Sequence, residues 1–305
     1  MRMLLSVALW VLMLTTAKAE PLQVVTTFSI LKDLTEQVGG DKVTAETLIG
    51  PDQDAHGFNP KPSDIRKLGA AKVIVANGLD FEPWLARAIA AAKAKGTLVK
   101  ASDGVSVLSV EDDHQGHDHH DHHAHDKHDH GPRDPHAWQN VANTKIYVAN
   151  IEKALSAADP GNASHYKARA AAYAKDLDAL DAEIKAAWAG VPQARRVIVT
   201  NHDAFGYYGA AYGVRFLSPI GVSSKAEQSA AGVARLIAQI KREGIKAVFV
   251  ENLDDPRLIA QIARETGAKT GPAVYSDALS PPDGPAPSYK AMMQWNTKAF
   301  VGGVR

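Results

Sequence analysis

A long helical pattern in the middle of the chain divides two regions in which strands and helices alternate. From Ser164 to Trp188, apolar residues recur every three or four positions with charged residues between them, which predicts one amphipathic helix. Short apolar segments that predict strands lie on both sides of it: 22–28, 43–49, 72–76 and 105–108 before it, and 196–200, 215–217, 246–250 and 273–275 after it. The alternation predicts an α/β protein with two lobes, each a parallel sheet flanked by helices, connected by the long helix.

The chain has 305 residues, which suits two domains of ordinary size after removal of an N-terminal signal. The predicted boundaries are 1–19 for a signal peptide, 20–160 for the N-terminal lobe, 161–190 for the linking helix and 191–305 for the C-terminal lobe. A His-rich loop covers 112–132 within the N-terminal lobe. Because ligands of open α/β sheets bind beyond the carboxyl ends of the strands, we expect the site in the cleft between the lobes.

The N-terminus has the pattern of a secretory signal peptide. Arg2 supplies a positive start, residues 3–14 form an apolar run, and Ala17, Lys18 and Ala19 form a small-x-small cleavage site. The run is shorter than the roughly 20 residues that a transmembrane helix needs, so a membrane anchor is the weaker alternative. No cysteine follows the run, which argues against a lipid-anchored precursor. We therefore predict an exported, periplasmic protein.

Composition limits both the partners and the metal chemistry. The chain carries 34 Lys and Arg against 34 Asp and Glu, so no charge excess favours a polyanion, and a nucleic-acid partner is not expected. The absence of cysteine excludes disulfides, thiolate metal ligands and cysteine nucleophiles. Any metal must therefore be held by nitrogen and oxygen ligands, and the fold must rest on its own core.

Between residues 114 and 130 the chain carries nine histidines interleaved with aspartates. Imidazole is the commonest protein ligand for zinc, copper and nickel, and a tract of this composition cannot form a packed core. We expect a loop with weak auxiliary metal sites, disordered without metal. It could collect zinc and pass it inward, regulate affinity at high zinc or act as a buffer. Its histidines are His114, His117, His119, His120, His122, His123, His125, His128 and His130.

Four histidines lie outside the tract, and three of them occupy loops next to predicted strands or helices. His56 follows the second strand, His136 precedes a helix, and His202 follows a strand directly, as Asp277 does after the last strand. Three imidazoles and one carboxylate suit tetrahedral Zn²⁺. A single loop histidine is more often a surface residue, however, and the spacing alone is too wide to decide. His165, at the start of the long helix, is expected to have a structural role.

The sequence around these positions resembles one family in four separate motifs. The motifs are 54-DAHGFNPKPSD-64, 134-DPHAW-138, 201-NHDAFGYY-208 and 275-YSDAL-279, and the segments 76–84 and 248–252 fit as well. They are similar to the ligand motifs of the zinc- and manganese-binding solute receptors of bacterial metal ABC transporters, the ZnuA/TroA-like group. The resemblance extends from residue 24 to residue 300, with the His-rich tract as the zinc-type insertion.

The resemblance implies that His56, His136, His202 and Asp277 are metal ligands in a cleft between two lobes joined by one rigid helix. It implies a monomeric receptor rather than an enzyme, which captures Zn²⁺ and delivers it to the membrane permease of a zinc ABC transporter with a separate ATPase. Manganese-binding members commonly have Glu at the third position, so His202 favours zinc, in agreement with the preference of zinc for imidazole. Ala55 stands where some zinc receptors carry an acidic residue. Ala55 cannot bind a metal, so Asp277 is the carboxylate expected to serve as the fourth ligand.

Carboxylates close to these histidines are candidates for orienting them. Metal-bound imidazoles usually donate from their second ring nitrogen to a carboxylate, carbonyl or water. Asp134, Asp203 and Glu251 are suitable by position. The alternatives are that Asp134 caps the following turn and that Glu251 ends its strand as a surface charge.

Other functions stay open at this point. A receptor of the same fold for manganese, nickel or copper, or a periplasmic zinc store that uses the tract, would share most of these features. A secreted zinc hydrolase would need three protein ligands, an open position and a general base, and the usual His-Glu-x-x-His helix is absent. Whether the fourth ligand is Asp277 or water is also undecided.

Overall fold

The computed structural model describes residues 20–109, 133–223 and 229–305. The predicted signal peptide and the whole of the predicted His-rich loop lie outside these ranges. Within them, strands and helices alternate in two regions separated by one long helix, which confirms the predicted α/β architecture.

The first region forms the N-terminal lobe, a parallel sheet with helices packed against it. In chain order its elements are β1 (Leu22–Phe28), α1 (Ser29–Gly39), β2 (Val43–Ile49), α2 (Pro62–Ala70), β3 (Val73–Ala76), α3 (Leu85–Ala92), β4 (Thr97–Lys100) and α4 (Val141–Ala158), followed by the long helix α5 (Ala163–Ala189). The sheet order is β2-β1-β3-β4. β1 is an inner strand and is buried from Val24 onward, as expected for a parallel strand covered on both faces.

The second region forms the C-terminal lobe and repeats the same topology. Its elements are β5 (Val197–Val199), α6 (Gly206–Tyr212), β6 (Arg215–Leu217), α7 (Ala230–Glu243), β7 (Ala247–Val248), α8 (Pro256–Thr266), β8 (Lys269–Thr270) and α9 (Tyr289–Val304). The sheet order is β6-β5-β7-β8. In each sheet the chain reverses its direction of winding after the first two strands, which creates the crevice where α/β sheets bind ligands.

Two predicted strands are absent from these sheets. Residues 105–108 are irregular, and in 273–275 only Val274 forms an isolated parallel bridge, with Glu251. The fourth strand of each sheet is instead β4 or β8, both mostly exposed. An edge strand that faces solvent does not need an apolar pattern, whereas buried loop residues such as Val274 do carry one.

The long helix contacts both lobes. Its buried residues follow one face and are Tyr166, Tyr173, Leu177, Leu180, Ile184 and Trp188. Arg169 Nε donates to the carbonyl of Gln37 in α1 at 2.9 Å, and Trp188 Nε1 donates to the hydroxyl of Tyr208 in α6 at 2.9 Å. The C-terminal helix α9 returns to pack against α5 and α1. Buried side chains of both lobes, including Phe28 and Phe300, therefore belong to one continuous core.

No helix in the described ranges is long and apolar enough to cross a membrane.

Leu180→Ala tests the contribution of this shared core. Leu180 is 1% exposed on α5, so its truncation should lower the free energy of unfolding by about 2–5 kcal/mol. Leu98→Ala is the matched control, because Leu98 is 44% exposed on β4 and its loss should cost about 0.5 kcal/mol. Urea unfolding of the metal-free protein followed by circular dichroism gives both values. Equal losses would contradict a core that runs along α5.

Candidate metal centre

Four side chains predicted from the sequence converge between the two lobes. His56 lies in the loop after β2, His136 directly precedes a short 3₁₀ turn, His202 follows β5, and Asp277 follows the bridge at Val274. Each of the four offers a ligand atom, and these atoms all lie within 4.8 Å of one another. The loops at the carboxyl ends of strands from both sheets thus meet in one cluster, as the topology predicts.

The carboxylate of Asp277 is the centre of this cluster. Its Oδ2 lies 3.2 Å from His56 Nε2 and 3.4 Å from His202 Nε2, and its Oδ1 lies 3.4 Å from His136 Nε2. None of these nitrogen and oxygen atoms has a hydrogen-bond partner among the described residues. His136, His202 and Asp277 are at most 2% exposed. Because buried polar atoms are normally paired, the set is suited to a cation that all four side chains would share.

Local turns aim two of the imidazoles. The backbone N–H of His56 donates to Asp54 Oδ1 at 2.9 Å, and the N–H of His136 donates to Asp134 Oδ1 at 2.9 Å. In both cases an aspartate two residues earlier closes a tight turn around its own side chain, a favoured use of this residue. The indole of Trp84 also donates to the carbonyl of Ala55 at 3.2 Å and holds the first loop in place.

In two of the histidines, a carboxylate contacts the second ring nitrogen, Nδ1. His136 Nδ1 lies 2.8 Å from Asp134 Oδ1, and His202 Nδ1 lies 2.8 Å from Glu251 Oε2, while Glu251 Oε1 accepts the backbone N–H of His202 at 2.9 Å. This arrangement turns each Nε2 toward Asp277. Asp203, the third candidate from the sequence, has no hydrogen bond or ion pair to a histidine in the described part of the chain.

The segment that carries Asp277 is held by the opposite lobe. The carbonyl of Ser276 accepts hydrogen bonds from Trp138 Nε1 and Gln139 Nε2, both at 2.9 Å. Both donors lie in the short turn that begins directly after His136. The position of Asp277 relative to His136 is therefore set by two direct bonds between the lobes. His165 lies apart from the cluster, with Nε2 3.1 Å from the carbonyl of Gly39.

Charge in the cluster changes the proton affinities strongly. Burial lowers the pKa of His136, but the charges of Asp277 and Asp134, with the contact between His136 Nδ1 and Asp134, outweigh it and raise the pKa to about 9. Burial likewise disfavours protonation of His202, while Glu251 and Asp277 raise its pKa well above the ordinary value. Burial would raise the pKa of Asp277, but His136 and His202 hold it well below its usual range. Without a metal, protons balance the buried carboxylate.

Two further carboxylates near the cluster were not predicted. Asp254 Oδ2 lies 3.9 Å from His202 Nδ1, and burial together with Glu251 raises the pKa of Asp254 to about 7. Glu82 accepts from Thr27 Oγ1 at 2.6 Å and from the N–H of Asn77 at 2.7 Å, and burial raises its pKa to about 7. Both follow shortly after a predicted strand, and Glu82 also lies in the segment 76–84 that resembles the family.

Hydrogen bonds through Asn77 connect Glu82 to the loop of His136. The side-chain amide of Asn77 donates to the carbonyl of Pro135 at 2.9 Å, next to His136, and its oxygen accepts from the Tyr147 hydroxyl at 2.6 Å. This buried network fixes the loop in which His136 lies.

The described residues on either side of the His-rich tract meet beside Asp134. Ser109 and Arg133 form an antiparallel bridge, and the N–H of Asp134 donates to the carbonyl of Leu108 at 3.0 Å. The Tyr207 hydroxyl accepts from the N–H of Leu108 at 3.0 Å and donates to the carbonyl of Asp134 at 3.2 Å. Ser109 and Arg133, the described residues that flank the tract, therefore lie next to Asp134, which contacts His136.

The chain is similar to known metal receptors over most of its length. Residues 24–303 match the family described as "Zinc-uptake complex component A periplasmic". The chain is 30% identical over 294 residues to the manganese ABC transporter substrate-binding lipoprotein PsaA of Streptococcus pneumoniae, covering 94% of this chain and 90% of that protein. It is 32% identical over 295 residues to the iron ABC transporter substrate-binding lipoprotein MtsA of Streptococcus pyogenes serotype M1, covering 95% and 91%.

Solved structures share the fold. The periplasmic zinc binding protein TroA from Treponema pallidum superposes with a TM-score of 0.83 at 26% identity, covering 93% of this chain and 99% of that one. The Mn-bound periplasmic metal binding protein from Candidatus Liberibacter asiaticus gives a TM-score of 0.80 at 29% identity, covering 93% and 100%.

Fold, site and likeness together define a class: a metal-binding, substrate-binding protein of an ABC transporter, which is a receptor and not an enzyme. The chain belongs to the zinc-uptake complex component A family. The family predicted from the four motifs is thereby confirmed.

Asp134→Asn and Glu251→Gln test the role of the two carboxylates that face ring nitrogens. Each variant should weaken binding of zinc, used as the probe metal, by about 10–100-fold, because the imidazole loses a charged partner. Asp203→Asn is the matched control and should change the affinity much less. Competition with a fluorescent zinc chelator measures all three. An equal loss in Asp203→Asn would refute the assignment.

Metal binding should depend on pH in a defined direction. The raised pKa of His136 means that its protonated form stabilises the metal-free protein fully below pH 6.5, a contribution that is lost as the pH rises through about 9. A metal must displace that proton, so its affinity should rise over the same interval. The increase in Tm on adding one equivalent of zinc should therefore grow from pH 6 to pH 8. A constant increase would show that His136 is neutral in the metal-free protein.

Proposed function

We propose that the protein captures zinc in the periplasm and delivers it to the membrane permease of an ABC transporter driven by a separate ATPase. The observation that carries this proposal is the convergence of three unpartnered Nε2 atoms, from His56, His136 and His202, on the buried carboxylate of Asp277. Three imidazoles and one carboxylate form a tetrahedral ligand set with a net charge of about +1 when Zn²⁺ is bound.

The donor set favours zinc over manganese. Imidazole nitrogen suits zinc, whereas manganese prefers oxygen donors. His202 supplies the third nitrogen at the position where manganese-binding members commonly have Glu, and the nine tract histidines add further nitrogen donors. A receptor of the same fold for manganese or another divalent metal is the second candidate, because PsaA is named for manganese and MtsA for iron.

Export and organisation follow the sequence pattern. We infer cleavage after Ala19 and a mature chain without a lipid anchor, since the sequence contains no cysteine. We assign residues 20–160 and 191–305 to the two lobes and 161–190 to the link, which encloses α5. The receptor acts as a monomer.

Release of the metal requires the four ligands to separate, because a closed tetrahedral site binds zinc strongly. The hydrogen bonds from Trp138 and Gln139 to Ser276 join the two lobes next to Asp277. Docking to the permease that breaks these bonds would withdraw Asp277 from the three imidazoles and lower the affinity.

The choice between zinc and manganese is testable at one ligand. The protein should bind zinc more tightly than manganese, and His202→Glu should shift the affinity ratio toward manganese by about tenfold, the scale expected when the surroundings of a metal change. His165→Glu makes the same substitution away from the cluster and should leave the ratio unchanged. Competition calorimetry with both metals gives the ratio. A preference of the unaltered protein for manganese would support the second candidate instead.

The division of labour between cluster and tract is testable by deletion. Ser109 and Arg133 already pair, so removal of residues 114–130 leaves a short loop that can close between them. The shortened protein should keep one tight zinc site and lose only weaker ones. Calorimetry gives the number of sites in each protein. Several equal sites that all disappear with the tract would support a zinc store.

A further inference from the structure

The imidazole of His202 has a second ring nitrogen, Nδ1, that the proposed zinc cluster does not use. Its Nε2 points toward Asp277, whereas its Nδ1 points toward two carboxylates in the turn after β7. Glu251 Oε2 lies 2.8 Å from Nδ1 and Asp254 Oδ2 lies 3.9 Å from it. These three side chains form a second group of metal-ligating atoms within 4.8 Å of one another.

The atoms of this second group are buried and poorly paired. His202 Nδ1 and Glu251 Oε2 lie 2.8 Å apart, but these two atoms and Asp254 Oδ2 make no well-aligned hydrogen bond in the described ranges. Glu251 is 1% exposed and His202 is 2% exposed, so bulk solvent does not reach these two side chains. A single imidazole N–H can serve only one of two carboxylate oxygens. The group therefore has more buried acceptors than donors, and a cation is the ligand that would satisfy both.

The second group is reached from a different side than the main cluster. Asp254 lines a cavity of about 870 Å³ between α7 and α8, together with Asn201, Ile220, Val233 and Leu258. The side chain of Asp254 is 16% exposed, in contrast to the 1% of Asp277. The ring of His202 thus separates a buried cluster from an acidic group next to an open cavity.

We propose that His202 Nδ1, Glu251 and Asp254 form an auxiliary zinc site through which the ion passes between the cavity and the main cluster. One nitrogen and two oxygens leave a position for water, as in labile zinc sites, and two carboxylates balance the charge of the ion. A neutral imidazole has only one free ring nitrogen. The ion therefore uses the two nitrogens of His202 in turn, with the ring proton on Nε2 while Nδ1 binds the ion and on Nδ1 while Nε2 binds it. The auxiliary site is filled when the main cluster is empty.

Calorimetry on a protein without the main cluster tests the site directly. In the full chain with the nine tract histidines changed to Ala, the substitutions His56→Ala, His136→Ala and Asp277→Asn remove three main ligands. This protein should bind one zinc ion, more weakly than the intact protein. Adding Asp254→Asn should weaken that binding by about tenfold or more.

Asp255→Asn is the matched control for Asp254→Asn. It removes the same charge one residue away, where the carboxylate caps α8 and pairs with Arg257 in solvent. It should leave zinc binding unchanged. The proposal is overturned if the protein without the main cluster binds no zinc, or if Asp254→Asn and Asp255→Asn have the same effect.

Exchange kinetics provide a second test that keeps the main cluster intact. A site on the route of the ion affects both its entry and its exit. Asp254→Asn should therefore slow zinc association and zinc release together, with little change in Kd. Stopped-flow exchange with a chelator measures both rates, again against Asp255→Asn. Unchanged rates would exclude the route. A change in only one of the two rates, and therefore in Kd, would also contradict it and would assign Asp254 a purely electrostatic role.

The choice of zinc as the ion rests on the proposed function, but the two can fail separately. If the main cluster does not select zinc, the competition experiment with His202→Glu fails while the auxiliary group can still bind the probe. If the auxiliary site is absent, the intact protein still binds one zinc ion at the main cluster.

Discussion

The buried carboxylate of Asp277 contacts imidazoles from both lobes. A carboxylate that is 1% exposed is costly to bury unless a positive charge lies beside it. Protonated His136 and His202, or a cation shared with all three imidazoles, would supply that charge. His56 and His136 come from one lobe, while His202 and Asp277 come from the other. The charge of Asp277 therefore stabilises the closed arrangement of the lobes only when its partners are in place.

The scaffold limits how far these partners can move. One continuous core extends along α5 into both lobes, and the short turn after His136 holds the backbone next to Asp277 by two hydrogen bonds. Carboxylates then orient the imidazoles, Asp134 on His136 and Glu251 on His202. Such support from surrounding groups is what gives a metal site its geometry before the metal arrives. The same support suits a receptor, because a small movement of one lobe would change the distances among all four side chains at once.

Much of this could be predicted from the sequence, and the failures have physical reasons. Strong apolar runs predicted β1 and the long helix, because buried strands and amphipathic helices leave periodic patterns. The exposed edge strands β4 and β8 leave none. Position next to a strand identified Glu251 but could not separate it from Asp203, since only the folded chain decides which carboxylate reaches a ring nitrogen. Asp254 was missed because only the folded chain shows that it lies near Nδ1, the second ring nitrogen of His202.

The central claim is that His56, His136, His202 and Asp277 bind one zinc ion between the lobes. Anomalous scattering at the zinc edge, from crystals of the mature protein grown with one equivalent each of zinc and manganese, tests it most directly. We expect one strong zinc peak within bonding distance of the three Nε2 atoms and the Asp277 carboxylate. A manganese ion at that position, or zinc only at the tract histidines, would contradict it.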